Sequence, residues 1–268
     1  MSGAGVLGQI VAATRERLHE RKKSFPIERI LAAAQTPGVR RSFAAAASVP
    51  GRVNVIAEFK RRSPSRGVIR ENLHPVTVAP AYEVAGAAAL SVLTDEQFFG
   101  GTLQDLQEAR SATLLPTLRK DFIVDPYQVR EAWIAGADAL LLIVAVLGEP
   151  DLQNLLQVAE EHALDALVEV HDEKELEIAL RAGARIVGVN NRDLRTMEVR
   201  LETGLRLANL IPDAVVAVAE SGIKTAADVR RLGDAGYDAF LIGEHLMQSG
   251  EPGLALETLL RESVAGAA

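Results

Sequence analysis

The sequence predicts one closed barrel of eight strand–helix units, a (β/α)8 barrel of the TIM type in the α/β class, with an N-terminal helical extension. Three observations lead there. Eight short apolar runs recur along the 268 residues, their starts about 20 to 35 residues apart, which is the length of one βα unit. The runs are continuously apolar, as parallel strands buried on both faces are, rather than alternating. Four of them are preceded by the same Ala-Gly pair, at 85–86, 135–136, 182–183 and 235–236. Glycine just past a helix adopts the left-handed cap without strain, so the pair reads as helix, stop, strand. An open doubly wound sheet is the competing architecture, but it usually has five or six strands, not eight.

The predicted strands, in order, are Val53–Lys60, Ala88–Thr94, Leu114–Lys120, Ala139–Val144, Ala166–Val170, Ile186–Asn190, Val215–Glu220 and Ala239–Gly243. An amphipathic stretch follows each one. Leu152–His162, with Leu152, Leu155, Leu156 and Ala159 on one face, is an example. Residues 1–52 lack a strand pattern and carry helical signals at Val6–Lys23 and, after Pro26, at Ile27–Gln35. They are expected to form an extension that caps a barrel mouth or covers the first strand, with 53–268 as the catalytic barrel domain.

Composition removes several function classes. There are no cysteines, which excludes disulfide scaffolds, thiolate metal sites and cysteine nucleophiles. The net charge of −7 and the 4% aromatic content oppose a nucleic-acid or anionic-membrane partner. The longest apolar run, Ala139 to Gly148, is far short of the roughly 20 residues that span a bilayer. The first twenty residues include Arg15, Glu16, Arg17, His19 and Glu20 and no apolar signal core, so a cytoplasmic protein is expected. The five histidines show no metal-ligand spacing, and no metal is expected. Gly3-Ala-Gly5-Val-Leu-Gly8 matches the dinucleotide fingerprint in letters. It has no strand ahead of it to present the turn to a pyrophosphate, so it is read as a terminus and no cofactor is expected.

In barrels of this type the chemistry lies at the C-terminal strand ends. Those ends carry Glu58, Lys60, Lys120, Glu169 and Asn190, then Glu220-Ser221 and Gly243-Glu244. Strand alternation puts Glu58 and Lys60 on the face of Ile56, Lys120 on that of Leu118, and Glu169 on that of Leu167. If those faces point inward, two lysines and two carboxylates meet at one mouth, where they can do acid–base chemistry. Solvated strand ends or structural ion pairs are the alternative. The turns after the seventh and eighth strands, Ser221-Gly222 and Gly243-Glu244, suit a phosphate. Lys60-Arg-Arg-Ser-Pro-Ser-Arg-Gly67 is the most basic segment and could close over an anionic ligand.

At these residues the chain resembles the indole-3-glycerol-phosphate synthase family of tryptophan biosynthesis. The most specific stretch is Ile56-Ala-Glu-Phe-Lys-Arg-Arg-Ser-Pro-Ser65. Supporting stretches are Ser91–Gly100, Leu118–Ile123, Val168-Glu-Val170, Gly188–Leu194 and Ala219-Glu-Ser-Gly-Ile223. The resemblance implies a carboxy-lyase acting on the small anion 1-(2-carboxyphenylamino)-1-deoxy-D-ribulose 5-phosphate, closing the indole ring with release of carbon dioxide and water. It implies Lys120 as the general acid of ring closure; like-charge repulsion from the second lysine is expected to draw its pKa down toward the working pH. Lys60 would pair with the substrate carboxylate and serve dehydration, Glu58 would be the base or its partner, and Glu169 would orient Lys120. Asn190 would bond a substrate hydroxyl, and Arg192 would hold anions. Ser221, Gly222, Gly243 and Glu244 would offer backbone groups to the phosphate, although some relatives have serine at the position of Glu244. Ser63 would help enclose the carboxylate, and Phe99, Phe122, Leu141 and Ile143 would bound the aromatic ring. A monomer is compatible with this reading, and association with other tryptophan-pathway enzymes stays open. A phosphoribosylanthranilate isomerase would need a catalytic Cys, which is missing. A non-catalytic sugar-phosphate-binding barrel would not need the carboxylates.

Overall fold

A computed structural model describes residues 5–33, 38–194 and 196–265. Eight parallel strands close into a barrel: β1 Asn54–Phe59, β2 Ala89–Leu93, β3 Thr117–Lys120, β4 Ala139–Ile143, β5 Asp165–Val170, β6 Ile186–Asn190, β7 Val216–Glu220 and β8 Ala239–Ile242. Each pairs with its neighbour in sequence, and β8 returns to β1 through Asn54↔Ala239 to Ala57↔Ile242. Helices follow every strand, and no described helix is long and apolar enough to cross a membrane.

The strand residues sort into two apolar layers. Ile56, Leu118, Leu141, Leu167, Ile186, Val218 and Leu241 belong to an inner cluster that fills the barrel. Val55, Ala57, Leu140, Leu142, Val168 and Val187 belong to the cluster between sheet and helices. Both faces are dry, which is why each strand reads as a continuous apolar run. Each Val, Leu or Ile among them contributes about 1.5–3 kcal/mol on burial. The four Ala-Gly pairs behave as expected: Gly86, Gly136, Gly183 and Gly236 all have positive φ, from 85° to 110°.

Several boundaries differ from expectation. The third strand begins at Thr117, not Leu114, and Leu114 is 79% exposed. Pro116 lacks the N–H that a ladder position needs, so the apolar letters before it lie in a loop. The fifth strand begins one residue early, at Asp165, whose carboxylate accepts the Ala44 N–H at 2.9 Å. The helix expected at Leu152–His162 runs Glu149–Glu161, because Pro150 is compatible with a first helical turn.

The extension forms α1 Val6–Ser24, α2 Ile27–Ala33 and α3 Phe43–Ala47. Gln35, the expected end of the second helix, lies outside the described residues, as do Gly3 and Ala4 of the fingerprint look-alike. Its Gly5 caps α1 and its Gly8 is inside that helix. The extension serves both ends of the barrel. Helix α3, which sequence reasoning missed, seals the N-terminal end: Phe43 is fully buried in the inner cluster, and the Arg41 N–H bonds Asp138 ahead of β4. Helix α1 is strapped to the outside by Arg17–Asp95 at 2.5 Å and Arg21–Glu131 at 3.0 Å. Its first turn reaches the opposite mouth, where Val6, Leu7 and Ile10 line a cavity.

Candidate active site

That cavity, of about 650 Å³, opens at the C-terminal strand ends. Every residue proposed from sequence for catalysis or substrate binding lines it: Glu58, Lys60, Lys120, Glu169 and Asn190 together with Ser63, Phe99, Phe122, Leu141, Ile143, Arg192, Ser221, Gly222, Gly243 and Glu244. The inward alternation expected of β1, β3 and β5 is what brings the ionisable ones together. Lys60 Nζ lies 2.6 Å from Glu58 Oε1. Lys120 Nζ lies 3.5 Å from Glu169 Oε2.

Glu220 joins them. It ends β7, is 1% exposed, and one oxygen sits 3.3 Å from Lys120 Nζ. The contact is close enough for charge attraction but poorly aligned, and neither Glu220 oxygen has a hydrogen-bond partner. Sequence reasoning noted Glu220 at a strand end and gave it no role. Its alternation with inward Val218 was the available signal. Two glycines make room for these acids. A side-chain carbon at Gly188 would collide with the Glu220 carboxylate, and one at Gly243 with that of Glu58. Gly243 therefore serves Glu58 as well as the turn for which it was singled out.

Burial opposes charge on every member of this cluster, and neighbours decide the outcome. Burial pushes Glu58 up, but Lys60 and Lys120 hold it below the usual carboxylate range. Glu169, also pushed up by burial, is brought down to about 2 by Lys120, His171 and Asn190. Glu220 goes the other way: burial, with Glu169 and Glu58 nearby, lifts it to about 8 despite Lys120. Burial alone would lower Lys120, but Glu220, Glu169 and Glu58 raise it well above an ordinary lysine. This corrects the expectation that a second lysine draws Lys120 down. Three carboxylates outweigh one ammonium.

The basic loop after β1 is mostly committed to structure. Arg61 makes a bidentate pair with Asp105, both bonds 2.7 Å, and Arg62 donates to the carbonyls of Glu96 and Gln97. Arg66 instead crosses the mouth to Glu244 Oε1 at 2.9 Å, and Arg192 Nη2 approaches the other oxygen at 3.5 Å. Of the loop's cations, Lys60 and Arg66 therefore line the cavity, and Lys120, Arg192 and Lys224 line it from other elements. At the turn after β7, Ser221 and Gly222 both take positive φ, 64° and 82°. On the apolar side, Phe99 and Phe122 stand 6.1 Å apart between ring centres, tilted 35°.

A closed (β/α)8 barrel with buried lysine–carboxylate pairs at the strand tips, beside turns suited to an anion, defines an acid–base enzyme for a small anionic substrate. The family model for indole-3-glycerol phosphate synthase matches residues 7–259. The chain belongs to the indole-3-glycerol phosphate synthase family, the decarboxylating lyases of tryptophan biosynthesis that act on a small phosphorylated substrate. The synthase of Chromobacterium violaceum is 48% identical over 257 residues, covering 95% of this chain and 97% of its own. That of Carboxydothermus hydrogenoformans is 44% identical over 261 residues, covering 95% and 99%. Among solved structures, a thiamine phosphate pyrophosphorylase from Pyrococcus furiosus superposes with a TM-score of 0.60 at 16% identity, covering 81% of this chain and 97% of that one. A mandelate oxidase gives 0.62 at 17%, covering 87% and 82%. At such identity these two share the fold alone.

Proposed function

We propose that Lys120 is the general acid of ring closure and that Glu58, Lys60, Glu169 and Asn190, joined by Glu220, complete the catalytic set. The substrate is 1-(2-carboxyphenylamino)-1-deoxy-D-ribulose 5-phosphate. The ring carbon bearing the carboxylate attacks the ketone carbon, and Lys120 protonates the ketone oxygen as it gains charge. Carbon dioxide then leaves, which restores the aromatic ring. Loss of the new hydroxyl as water, with a proton from the adjacent carbon, completes the indole.

The observation that carries this reading is Lys120, an ammonium buried between Glu169 and Glu220 and 3.3–3.5 Å from each. Carboxylates that hold the proton before reaction also recover it afterwards, because a bare amine would leave them buried without a cation. Glu220, whose proton affinity burial and the neighbouring acids raise, lies close enough to exchange a proton with Lys120. The separate Lys60–Glu58 pair suits the second stage: Lys60 meets the substrate carboxylate and then the departing hydroxyl, and Glu58 takes the carbon-bound proton. Asn190 bonds a substrate hydroxyl. Ser221, Gly222, Gly243 and Glu244 offer backbone groups to the phosphate beside Arg192. Ser63 borders the anthranilate carboxylate, and Phe99, Phe122, Leu141 and Ile143 bound the ring. We further read residues 1–52 as an extension of the catalytic barrel 53–268 and the protein as cytoplasmic.

Incubation with the carboxyphenylamino sugar phosphate should release product with indole fluorescence. No product from protein that is folded by circular dichroism would overturn the proposal.

A further inference from the structure

We propose that His171 is a positioning residue for this reaction: anchored by Glu175, it holds one oxygen of Glu169 so that the other stays on Lys120. The inference rests on the reading of Lys120 and Glu169 given above.

His171 follows the last residue of β5 and its side chain is only 13% exposed. Nε2 faces Glu169 Oε1 at 3.4 Å, an ion-pair approach without hydrogen-bond alignment, and Nδ1 lies 2.9 Å from Glu175 Oε2. Glu175 stands in the first turn of the helix Glu173–Arg181. The same Glu175 oxygen also accepts the His171 backbone N–H at 2.8 Å, so ring and backbone share one anchor. Asp172 fixes that turn by accepting the Glu175 N–H at 2.9 Å. The result is a line of alternating charge, Lys120–Glu169–His171–Glu175, running from the cavity to the helix behind the strand. Among the described residues, Glu58 from β1 and Glu220 from β7, both acids, also act on Glu169.

The chemistry follows from which carboxylate oxygen is occupied. With Oε1 engaged by a cation, Oε2 is left to orient the Lys120 ammonium, and the carboxylate resists protonation among acidic neighbours. Burial disfavours the imidazolium, but Glu169 and Glu175 outweigh it and carry His171 to about 10, so the ring is cationic at neutral pH. Without it, Glu169 keeps the Lys120 ammonium, against two acids.

The test compares His171→Ala, His171→Asn and Glu175→Gln in the full chain, with kcat and KM measured from the lowest pH at which each protein stays folded up to pH 9. The expected result is a fall in kcat of about tenfold or more in His171→Ala with KM within about twofold, as for a group acting through another in the transition state. The acid limb of kcat should move to higher pH, because Glu169 then takes a proton more readily. Added imidazole should restore part of the rate. Glu175→Gln, which keeps an acceptor and loses the charge, should shift the limb in the same direction by less. In a Glu169→Gln background, His171→Ala should change nothing further. Unchanged kcat and pH profile in either His171 variant would overturn the proposal, as would an equal loss with and without Glu169. If His171→Ala melts early, His171→Asn and Glu175→Gln carry the same decision. Wild-type kcat in Glu169→Gln alone would instead sink the reading of the site.

Discussion

Gly188 on β6 and Glu220 on β7 are shaped to each other: the carboxylate of Glu220 occupies the space that a side-chain carbon at Gly188 would need. Leu167 closes the space from the other side, 3.1 Å from where that carbon would stand. Gly188→Ala should therefore push Glu220 off Lys120. Overpacking of this kind costs about 1–3 kcal/mol. We expect a lowered melting temperature and a kcat reduced by about tenfold or more. An alanine variant with native activity would show that Glu220 needs no fixed place.

Lys120→Met keeps bulk and removes the proton. Since positioned acids contribute about 10²- to 10⁴-fold, kcat should fall by that range while substrate still binds at micromolar levels. Single-turnover fluorescence and calorimetric titration separate the two effects.

Glu220 makes stability depend on pH with a definite sign. Its ordinary value of 4.5 rises to about 8 in the fold, so between these pH values the folded state holds a proton that the unfolded state has lost. Stability is therefore full below 4.5 and falls as pH rises toward 8, at most by about 1.4 kcal/mol per pH unit. Glu169 acts oppositely, contributing above its ordinary value and losing that contribution only as pH falls toward about 2. Melting temperatures of wild type should drop from pH 5 to 8, and Glu220→Gln should flatten the slope. A parallel slope in the variant would assign it to other groups.

Glu244 holds Arg66 and approaches Arg192 where the substrate phosphate is proposed to sit. Glu244→Gln should release both arginines for phosphate. KM should fall a few-fold, inhibition by inorganic phosphate should strengthen, and stability should change by less than about 1 kcal/mol because Arg66 is exposed. A rise in KM would mean that the carboxylate organises the loop more than it competes with phosphate.

Arg119, beside Lys120 on β3, points out of the barrel and is 1% exposed. It meets Asp121 at 2.9 Å and Glu131 at 3.4 Å, and Glu131 also holds Arg21 of α1. Arg119→Met leaves Asp121 without its ion-pair partner, a loss of about 3–5 kcal/mol, measurable by urea unfolding.

Much of this site was legible from strand alternation. Glu58 follows Ile56 by two, Lys120 follows Leu118, and Glu169 follows Leu167, so knowing the inward face of each strand places all three acids and bases. Lys60 extends the first pattern. What stayed hidden depends on distance across the chain. Arg66 and Glu244 are 178 residues apart in sequence and meet only because β8 closes against β1. Arg61 and Arg62 read as part of a cationic loop, yet their partners near residues 96–105 turn them from the cavity. The direction of the Lys120 shift was misjudged because Glu220 was not counted among its neighbours.

The sequence by itself determined the number of strands, the faces they bury and the Ala-Gly stops between them, because these follow from local backbone preference and apolar period. The family is likewise written in short contiguous stretches. Only the tertiary structure decided the register in which β8 meets β1, that α3 seals the N-terminal end while α1 reaches the mouth, and which charges face one another inside. Those outcomes depend on closure of the sheet and on side-chain electrostatics at a few ångströms, and neither quantity exists until the chain has folded.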